Sequence, residues 1–370
     1  MKFRISDSAA ASLSLLAIIV RLFGSVAVDM PDLHNAGWLA VLLGGALSLP
    51  LAWAAGQLRA HCPVSPFATL SGHCQPLLRV TAALFALAAL LDAAAVARTI
   101  ASSASYVALN SLPMFALLLP QLLVCLWCLT LNGDAIGFAA GIWNRILPLL
   151  LLIVILLQFS TFRPAWLTPL LGPGLPDLLD GALRVSGGLS MLTGLFLIAE
   201  QDPDGDRHRF QPIKTLLACT LAAAVLLVLR SMMTPPLFKG KEASIFFQLD
   251  TLLSNGRAPL SLQLPMIILW FVSLLFLLLF DAFLFAAMLQ RALPRIGRRL
   301  CIAIVLISIG GLALSGFVSR ESALHISGWL FAAQSALLAS IMVILLIPKK
   351  GGRPCVKSRS LRCSRRSHCC

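Results

Sequence analysis

The chain has 370 residues, of which 59% are hydrophobic and only 12% are charged, and its formal net charge is +14. A soluble domain usually carries about 25% charged residues, so this composition excludes an ordinary soluble protein. The basic residues lie between apolar blocks and after Pro348, which is a pattern of membrane topology and not of a phosphate-binding face. No nucleic-acid partner is expected.

Ten apolar segments follow one another along the chain. Each is near the length of about 20 residues that a helix needs to cross a bilayer core of about 30 Å. No strand periodicity is present, so helices are expected. The predicted spans are 9–28, 38–57, 79–108, 112–131, 141–160, 181–199, 213–232, 263–289, 301–319 and 325–347. The sequence thus predicts an all-α integral membrane protein, with a polytopic domain over residues 1–348 and a basic, cysteine-containing, disordered cytoplasmic tail over 349–370.

Basic residues also indicate the orientation of these spans. If the N-terminus is inside, 20 basic residues lie on the cytoplasmic side and 7 on the outer side, and Arg21 and Arg98 lie within spans. Cytoplasmic segments of membrane proteins carry an excess of Lys and Arg. Both termini are therefore predicted to be cytoplasmic, which requires an even number of spans.

Ionisable residues inside spans are costly and are candidates for function. Arg21 lies about 12 residues into span 1 and Asp92 about 13 residues into span 3. Because each helical residue adds about 1.5 Å, both side chains are expected near the middle of the membrane. An ion pair between Arg21 and Asp92 is one reading; the other is that Arg21 snorkels or faces the carbonyls of a neighbouring helix.

Two further charged residues lie in spans 3 and 8. Arg98 shares a helix face with Ser102, at a spacing of four residues, and this polar stripe could line a wet cavity or serve plain helix packing. Asp281 falls in the inner part of span 8. It is predicted either to contribute to the site or only to cap the cytoplasmic end beside Arg291.

Glycines suggest interruptions in two helices. Gly24-Ser25 lies in span 1, and the run from Ser186 through Gly187-Gly188 to Ser190 lies in span 6. Interrupted helices five positions apart are typical of an inverted-repeat transporter, and their free N–H groups attract carboxylates. Close helix packing explains such glycines as well. The first reading predicts an inverted-repeat fold of five plus five helices, in which Gly24, Ser25, Gly187, Gly188 and Ser190 hold a ligand carboxylate and Asp92 receives its ammonium.

No catalytic constellation is recognisable. His34, His61, His73 and His325 are scattered over loops and helix ends, and no catalytic or phosphate-binding motif is present. We therefore expect no enzyme activity, no cofactor and no metal site.

Several short motifs resemble one family over essentially the whole chain. They are Ala36-Gly37-Trp38-Leu39, Ser65-Pro66-Phe67-Ala68-Thr69-Leu70, Arg98 with Asn110-Ser111-Leu112-Pro113, Trp166-Leu167-Thr168-Pro169-Leu170-Leu171-Gly172, and residues 182–194. In this order and spacing they resemble the B subunit of endospore germinant receptors, the spore germination permease family of the amino acid–polyamine–organocation superfamily. Arg21 departs from the family pattern.

The resemblance implies a ten-span permease fold with broken helices 1 and 6. It also implies a small germinant, typically an amino acid, bound between helices 1, 3, 6 and 8. The implied partners are a membrane A subunit and a lipoprotein C subunit in the spore inner membrane. The alternative, from the buried carboxylates Asp92 and Asp281, is an H⁺- or Na⁺-coupled transporter of amino acids or related solutes.

Overall fold

The structure, a computed structural model, describes residues 3–28, 31–60, 67, 74–107, 112–131, 133–157, 162–168, 174–200, 210–233 and 263–346. The predicted tail and most of the connecting loops lie outside these ranges. The described ranges contain ten α-helices, two short 3₁₀ helices and one isolated β-bridge, between Ser6 and Glu200. The helices are α1 Asp7–Val28, α2 Gly37–Ala60, α3 Cys74–Val107, α4 Met114–Thr130, α5 Gly133–Leu157, α6 Leu175–Ile198, α7 Gln211–Met233, α8 Gln263–Ala292, α9 Arg298–Ser315 and α10 Arg320–Leu346.

Each predicted span coincides with one of these helices. Within the described ranges, seven helices (α2, α3 and α6 to α10) are long and apolar enough to cross a membrane. Helices α4 and α5 meet at a bend of 118° and together form one further candidate. Separate crossings by α1, α4 and α5 stay predictions. The largest difference in bounds is at α5, which begins at Gly133, before the predicted start at residue 141. Helix α9 ends at Ser315, before the predicted end at residue 319, because Gly316 adopts a left-handed conformation (φ 68°).

The order of contacts agrees with two interlocked halves of five helices. Helix α1 contacts α6, α2 contacts α7, α3 contacts α8 and α4 contacts α9. Four of the five helices of the first half thus meet the helix five positions later in the chain. Helices α6 and α8 are the most enclosed, since residues 185–199 and 277–288 are all buried.

The predicted breaks in helices 1 and 6 are wrong. Helix α1 continues through Gly24-Ser25 to Val28, and α6 continues through Gly187-Gly188. Backbone N–H groups inside a continuous α-helix bond to the carbonyl four residues earlier. The predicted site required free N–H groups for a ligand carboxylate, and the N–H groups of a continuous helix are not free.

Close packing explains the two glycines of α6 instead. A Cβ at Gly187 would collide with the backbone of α10 at Ser327 and Gly328, and a Cβ at Gly188 would lie 3.0 Å from Arg21 Cδ. The hydroxyl of Ser190 donates to the Gly187 carbonyl oxygen at 2.7 Å within the same helix. Of the two readings of these glycines, the structure supports helix packing.

The segment before α1 positions that helix. Phe3 N donates to Gln290 Oε1 at 3.2 Å, near the end of α8, and Glu200 N donates to the Ile5 carbonyl oxygen at 2.8 Å, just after α6. Arg4 Nε lies 3.2 Å from Glu200 Oε1. These bonds join the start of α1 to the ends of α6 and α8.

Candidate functional site

A buried guanidinium lies where four helices meet. Arg21 is 14 residues beyond the start of α1, which places it about 21 Å along the helix axis. Its Nη1 donates to the carbonyl oxygen of Gly188 in α6 at 3.1 Å. Its Nη2 donates to Asp281 Oδ1 of α8 and lies 3.3 Å from Asp92 Oδ2 of α3. We call Arg21, Asp92 and Asp281 the Arg21 cluster.

The Arg21 cluster is almost completely enclosed by protein. Arg21 is 2% exposed, Asp92 5% and Asp281 0%. The ring of Phe280, the residue before Asp281, lies 5.8 Å from Arg21 Cζ and adds a cation–π contact. Buried charges are costly unless they are paired and hydrogen-bonded. The contacts with Asp92, Asp281 and the Gly188 carbonyl oxygen offset the cost of burying the Arg21 guanidinium.

The Arg21 cluster contains one basic and two acidic side chains. One guanidinium faces two carboxylates, so the three side chains carry a formal charge of −1 when all are ionised. A proton, a metal cation or the ammonium group of a ligand would neutralise them. The two carboxylates are acceptors of the kind that bind a cation or an ammonium group.

The structure contains the ion pair between Arg21 and Asp92 that was one reading of the sequence. The expectation that Asp281 caps the cytoplasmic end of its helix beside Arg291 is wrong. Asp281 binds Arg21, while Arg291 Nη1 donates to the Ala287 carbonyl oxygen at 2.8 Å. The depth of each residue along its helix axis was sufficient to match Arg21 with Asp92 from the sequence. The contact between Arg21 and Asp281 depends on the packing of α8 against α1, which the sequence did not predict.

The other predicted polar residues lie elsewhere. Arg98 Nη1 donates to the Ala313 carbonyl oxygen in the last turn of α9 at 3.4 Å, where a cation is favoured by the helix dipole. Ser102 is exposed and donates to the carbonyl oxygen of Thr99 in its own helix at 3.1 Å. A role of Arg98 and Ser102 in lining a cavity stays a prediction.

Sequence reasoning missed a second buried ion pair. Arg59, near the end of α2, donates from Nη2 to Asp7 in the first turn of α1, and both side chains are at most 3% exposed. The Arg59 guanidinium lies 5.6 Å from the ring centroid of Phe196 in α6. Asp7 and Arg59 lie just outside the predicted spans 9–28 and 38–57, and only ionisable residues within spans were considered as candidates. The acidic residue in the first turn of α1 was the available signal.

A groove between α1 and α5 was also missed. It has a volume of about 490 Å³, and serine and glycine residues and one residue of each charge line it. Helix α5 lies close to α1 because Gly137 faces Ala9 and Gly141 faces Ser12. The recurrence of glycine every fourth residue, from Gly133 on, could have indicated this helix contact.

The fold is shared with transporters of known structure. The nucleobase-cation-symport-1 family transporter MHP1, in a closed conformation with bromovinylhydantoin bound, is 13% identical, with a TM-score of 0.59, over 92% of this chain and 76% of that one. A mutant of the Eremococcus coleocola manganese transporter is 16% identical, with a TM-score of 0.54, over 92% and 77%. The chain is therefore an integral membrane protein with the inverted-repeat, permease-like fold of this transporter class.

The family follows from the sequence match. No curated protein is detectably similar to the chain, but the model of the spore germination protein family matches residues 13–199. That region contains most of α1 and all of α2 to α6, and with them Arg21, Asp92 and Gly188 of the site. The chain belongs to the spore germination protein family of membrane permeases.

Proposed function

We propose that this protein is the germinant-sensing membrane subunit of a spore germination receptor and that it binds a small amino-acid-like ligand at the Arg21 cluster. Family membership and the permease-like fold support this proposal. The observation that carries it is the Arg21 cluster itself, which links α1, α3, α6 and α8 through one buried guanidinium and two buried carboxylates.

The chemistry of the cluster suits a zwitterion. Arg21 offers a guanidinium that can bind a carboxylate in a bidentate manner. Asp92 is the carboxylate that the ligand ammonium would contact, because its 3.3 Å approach to Arg21 is longer than the contact made by Asp281.

Binding at this position would change the packing between helices. A ligand that takes over contacts of Arg21 or Asp92 replaces bonds between α1 and α3 with bonds to itself. The relative positions of those helices then depend on the ligand, which is the requirement for a conformational signal. The receptor partners in this proposal are a membrane A subunit and a lipoprotein C subunit in the spore inner membrane, with both termini of this chain in the cytoplasm.

Ligand-dependent thermal stabilisation of the purified protein tests the proposal, since a ligand that binds only the folded state raises the melting temperature. A panel would contain free amino acids, their methyl esters and their N-acetyl derivatives. We expect stabilisation by one or a few free amino acids and its loss with both derivatives. The variant Asp92→Asn should abolish it, while the exposed control Asp180→Asn should retain it. Equal stabilisation by an amino acid and its N-acetyl derivative would refute the ammonium site.

Ion-coupled transport is the second candidate function. The likeness to transporter structures and the formal charge of −1 on the Arg21 cluster favour it, because Asp92 or Asp281 could bind H⁺ or Na⁺ together with the solute. Uptake of a labelled amino acid into proteoliposomes, driven by a pH or sodium gradient, distinguishes the candidates. A sensor binds the ligand without accumulating it.

A further inference from the structure

Helix α5 carries a cation near its middle. The helix begins at Gly133 and ends at Leu157, so Arg145 is 12 residues, or about 18 Å, from its start. The predicted span began at residue 141 and placed Arg145 near the cytoplasmic boundary, but the earlier start of α5 places it well inside the helix. Its side chain is exposed and forms no ion pair with a carboxylate of the described ranges.

The contacts of α5 with α1 give the depth of Arg145. Gly137 lies against Ala9 and Gly141 lies against Ser12, so the two helices run in the same direction. One turn further along, this register places Arg145 level with residue 16 of α1. That level is about 10 Å inside the predicted start of span 1 at residue 9. Arg145 therefore lies within the hydrocarbon core, which is about 30 Å thick, and not among the headgroups.

The surface around Arg145 is apolar on both sides along the helix. Toward the start of α5, Phe138 is 72% exposed, and toward its end Leu149 is 59% exposed. Ile142 and Ile146, which are nearer to Arg145, are exposed as well. A charged side chain inside such a band is costly, and charges at membrane depth almost always pair with another group. Arg145 thus requires an anionic partner that the described part of this chain does not supply.

The same arginine lines the groove of about 490 Å³ between α1 and α5. Most other lining residues are small, among them Ser8, Ser12 and Gly141. Small residues allow the backbones of membrane helices to approach closely, and serine hydroxyls can donate across such an interface. An occupant at this depth must satisfy its own backbone hydrogen bonds, which a helix does. The groove therefore suits a further transmembrane helix.

The acidic residue of the groove is too distant to neutralise Arg145. Asp134 is 11 residues earlier on α5, which separates the two by about 16 Å along the axis. It accepts a hydrogen bond from Ser6 N at 2.7 Å at the start of α1. A second copy of the chain does not supply the partner either: among the described residues, the carboxylates inside the predicted spans are Asp92 and Asp281, and both are buried. The anion should therefore come from a different protein.

We propose that the groove between α1 and α5 is the docking site for one transmembrane helix of a partner protein, and that this helix carries an aspartate or glutamate at the depth of Arg145. The carboxylate pairs with the guanidinium, and small residues of the partner helix pack beside Ser12 and Gly141. This proposal requires that α5 crosses the membrane. It does not depend on the ligand proposed at the Arg21 cluster.

Association with a synthetic helix tests the proposal in phosphatidylcholine vesicles that contain the full chain with a donor fluorophore. The probe is a Leu/Ala peptide of about 20 residues that carries an acceptor fluorophore and one glutamate about 10 Å from one end. Its matched control has glutamine at that position. Energy transfer should report an association about threefold to tenfold stronger for the glutamate peptide, as expected for one polar contact between membrane helices.

Substitutions in the chain identify the contact. Arg145→Gln should remove the preference for the glutamate peptide without changing the melting temperature, because its side chain is exposed. Arg145→Glu should instead prefer a peptide with lysine at the same position. The control Arg299→Gln, which removes an exposed arginine at the start of α9, should retain the preference for glutamate.

Four results would overturn the proposal. Equal association of the glutamate and glutamine peptides with the wild type would show that Arg145 does not bind a helix carboxylate. A preference that persists in Arg145→Gln would place the contact elsewhere. Loss of the preference in phosphatidylglycerol vesicles would assign Arg145 to a lipid headgroup. Energy transfer between two labelled copies that Arg145→Gln removes would assign the groove to a second copy of the chain.

Discussion

Gly188 of α6 lies directly against Arg21 of α1. Its carbonyl oxygen accepts a hydrogen bond from Nη1 at 3.1 Å, and a Cβ at this position would lie 3.0 Å from Arg21 Cδ. Arg21 has little room to move away, because Asp92 and Asp281 hold the other side of its guanidinium. The size of residue 188 therefore controls the geometry of the Arg21 cluster.

Replacing Gly188 with valine should displace Arg21 and abolish ligand-dependent stabilisation. Overpacking of a dense core usually costs about 1–3 kcal/mol, so the protein should still fold, with a lower melting temperature. Gly311→Val is the matched control, because a Cβ at Gly311 meets nothing within 4 Å. If the Gly188→Val protein responds to the ligand as the wild type does, Gly188 has only a packing role and the site lies elsewhere.

Substitutions within the Arg21 cluster should differ in severity. Arg21→Met removes the one guanidinium that two carboxylates share, whereas Asp92→Asn leaves Arg21 and Asp281 as a neutral pair. Loss of one partner from a buried pair costs about 3–5 kcal/mol. We expect Arg21→Met to lower the melting temperature most, Asp281→Asn less and Asp92→Asn least.

A double-mutant cycle refines this order. Combining Arg21→Met with Asp92→Asn should not restore wild-type stability, because Asp281 then has lost its guanidinium partner; adding Asp281→Asn should recover part of the loss. The coupling free energy should be larger for Arg21 with Asp281 than for Arg21 with Asp92. Additive effects in both cycles would contradict direct contacts.

The ion pair between Asp7 and Arg59 should stabilise the protein more than a similar pair at the surface. Arg59→Met leaves a carboxylate at a position that is 3% exposed, with an expected loss of about 3–5 kcal/mol. Arg184→Met is the control, since its partner Asp180 is 47% exposed and such pairs contribute about 0–1 kcal/mol. Thermal unfolding in detergent measures both. Equal losses in the two variants would show that burial does not govern the contribution of the Asp7–Arg59 pair.

Membrane orientation can be measured at the two ends of α9. Four of the ten cysteines are buried, and the other six would be replaced with serine. In that background Arg295→Cys should react with a membrane-impermeant maleimide only after permeabilisation, because this end carries the cytoplasmic excess of basic residues. Phe317→Cys, at a position 87% exposed at the opposite end, should react in intact cells. The reverse labelling pattern would show that the predicted orientation is wrong.

Hydropathy and the fixed rise per residue of a helix were sufficient to predict the fold class, the positions of the helices in the chain and the depth of their charged residues. Apolar blocks of sufficient length predicted an all-α membrane protein with a helix at each of the ten predicted spans. Axial depth depends only on residue number within a helix, and for this reason Arg21 and Asp92 could be matched before any tertiary contact was known. The family resemblance rested on motifs that also follow directly from the order of residues.

Tertiary packing decided which helix faces meet. Rotation of a helix about its axis is set by contacts distant in the chain, and in this protein these contacts bring Asp281 to Arg21 and Arg59 to Asp7. The same is true of the glycines: their positions suggested breaks, but the close approach of Arg21 to Gly188 and of α10 to Gly187 explains them within a continuous helix. Local sequence specifies where a helix lies along the membrane normal, whereas the fit of side chains between helices specifies its rotation and neighbours.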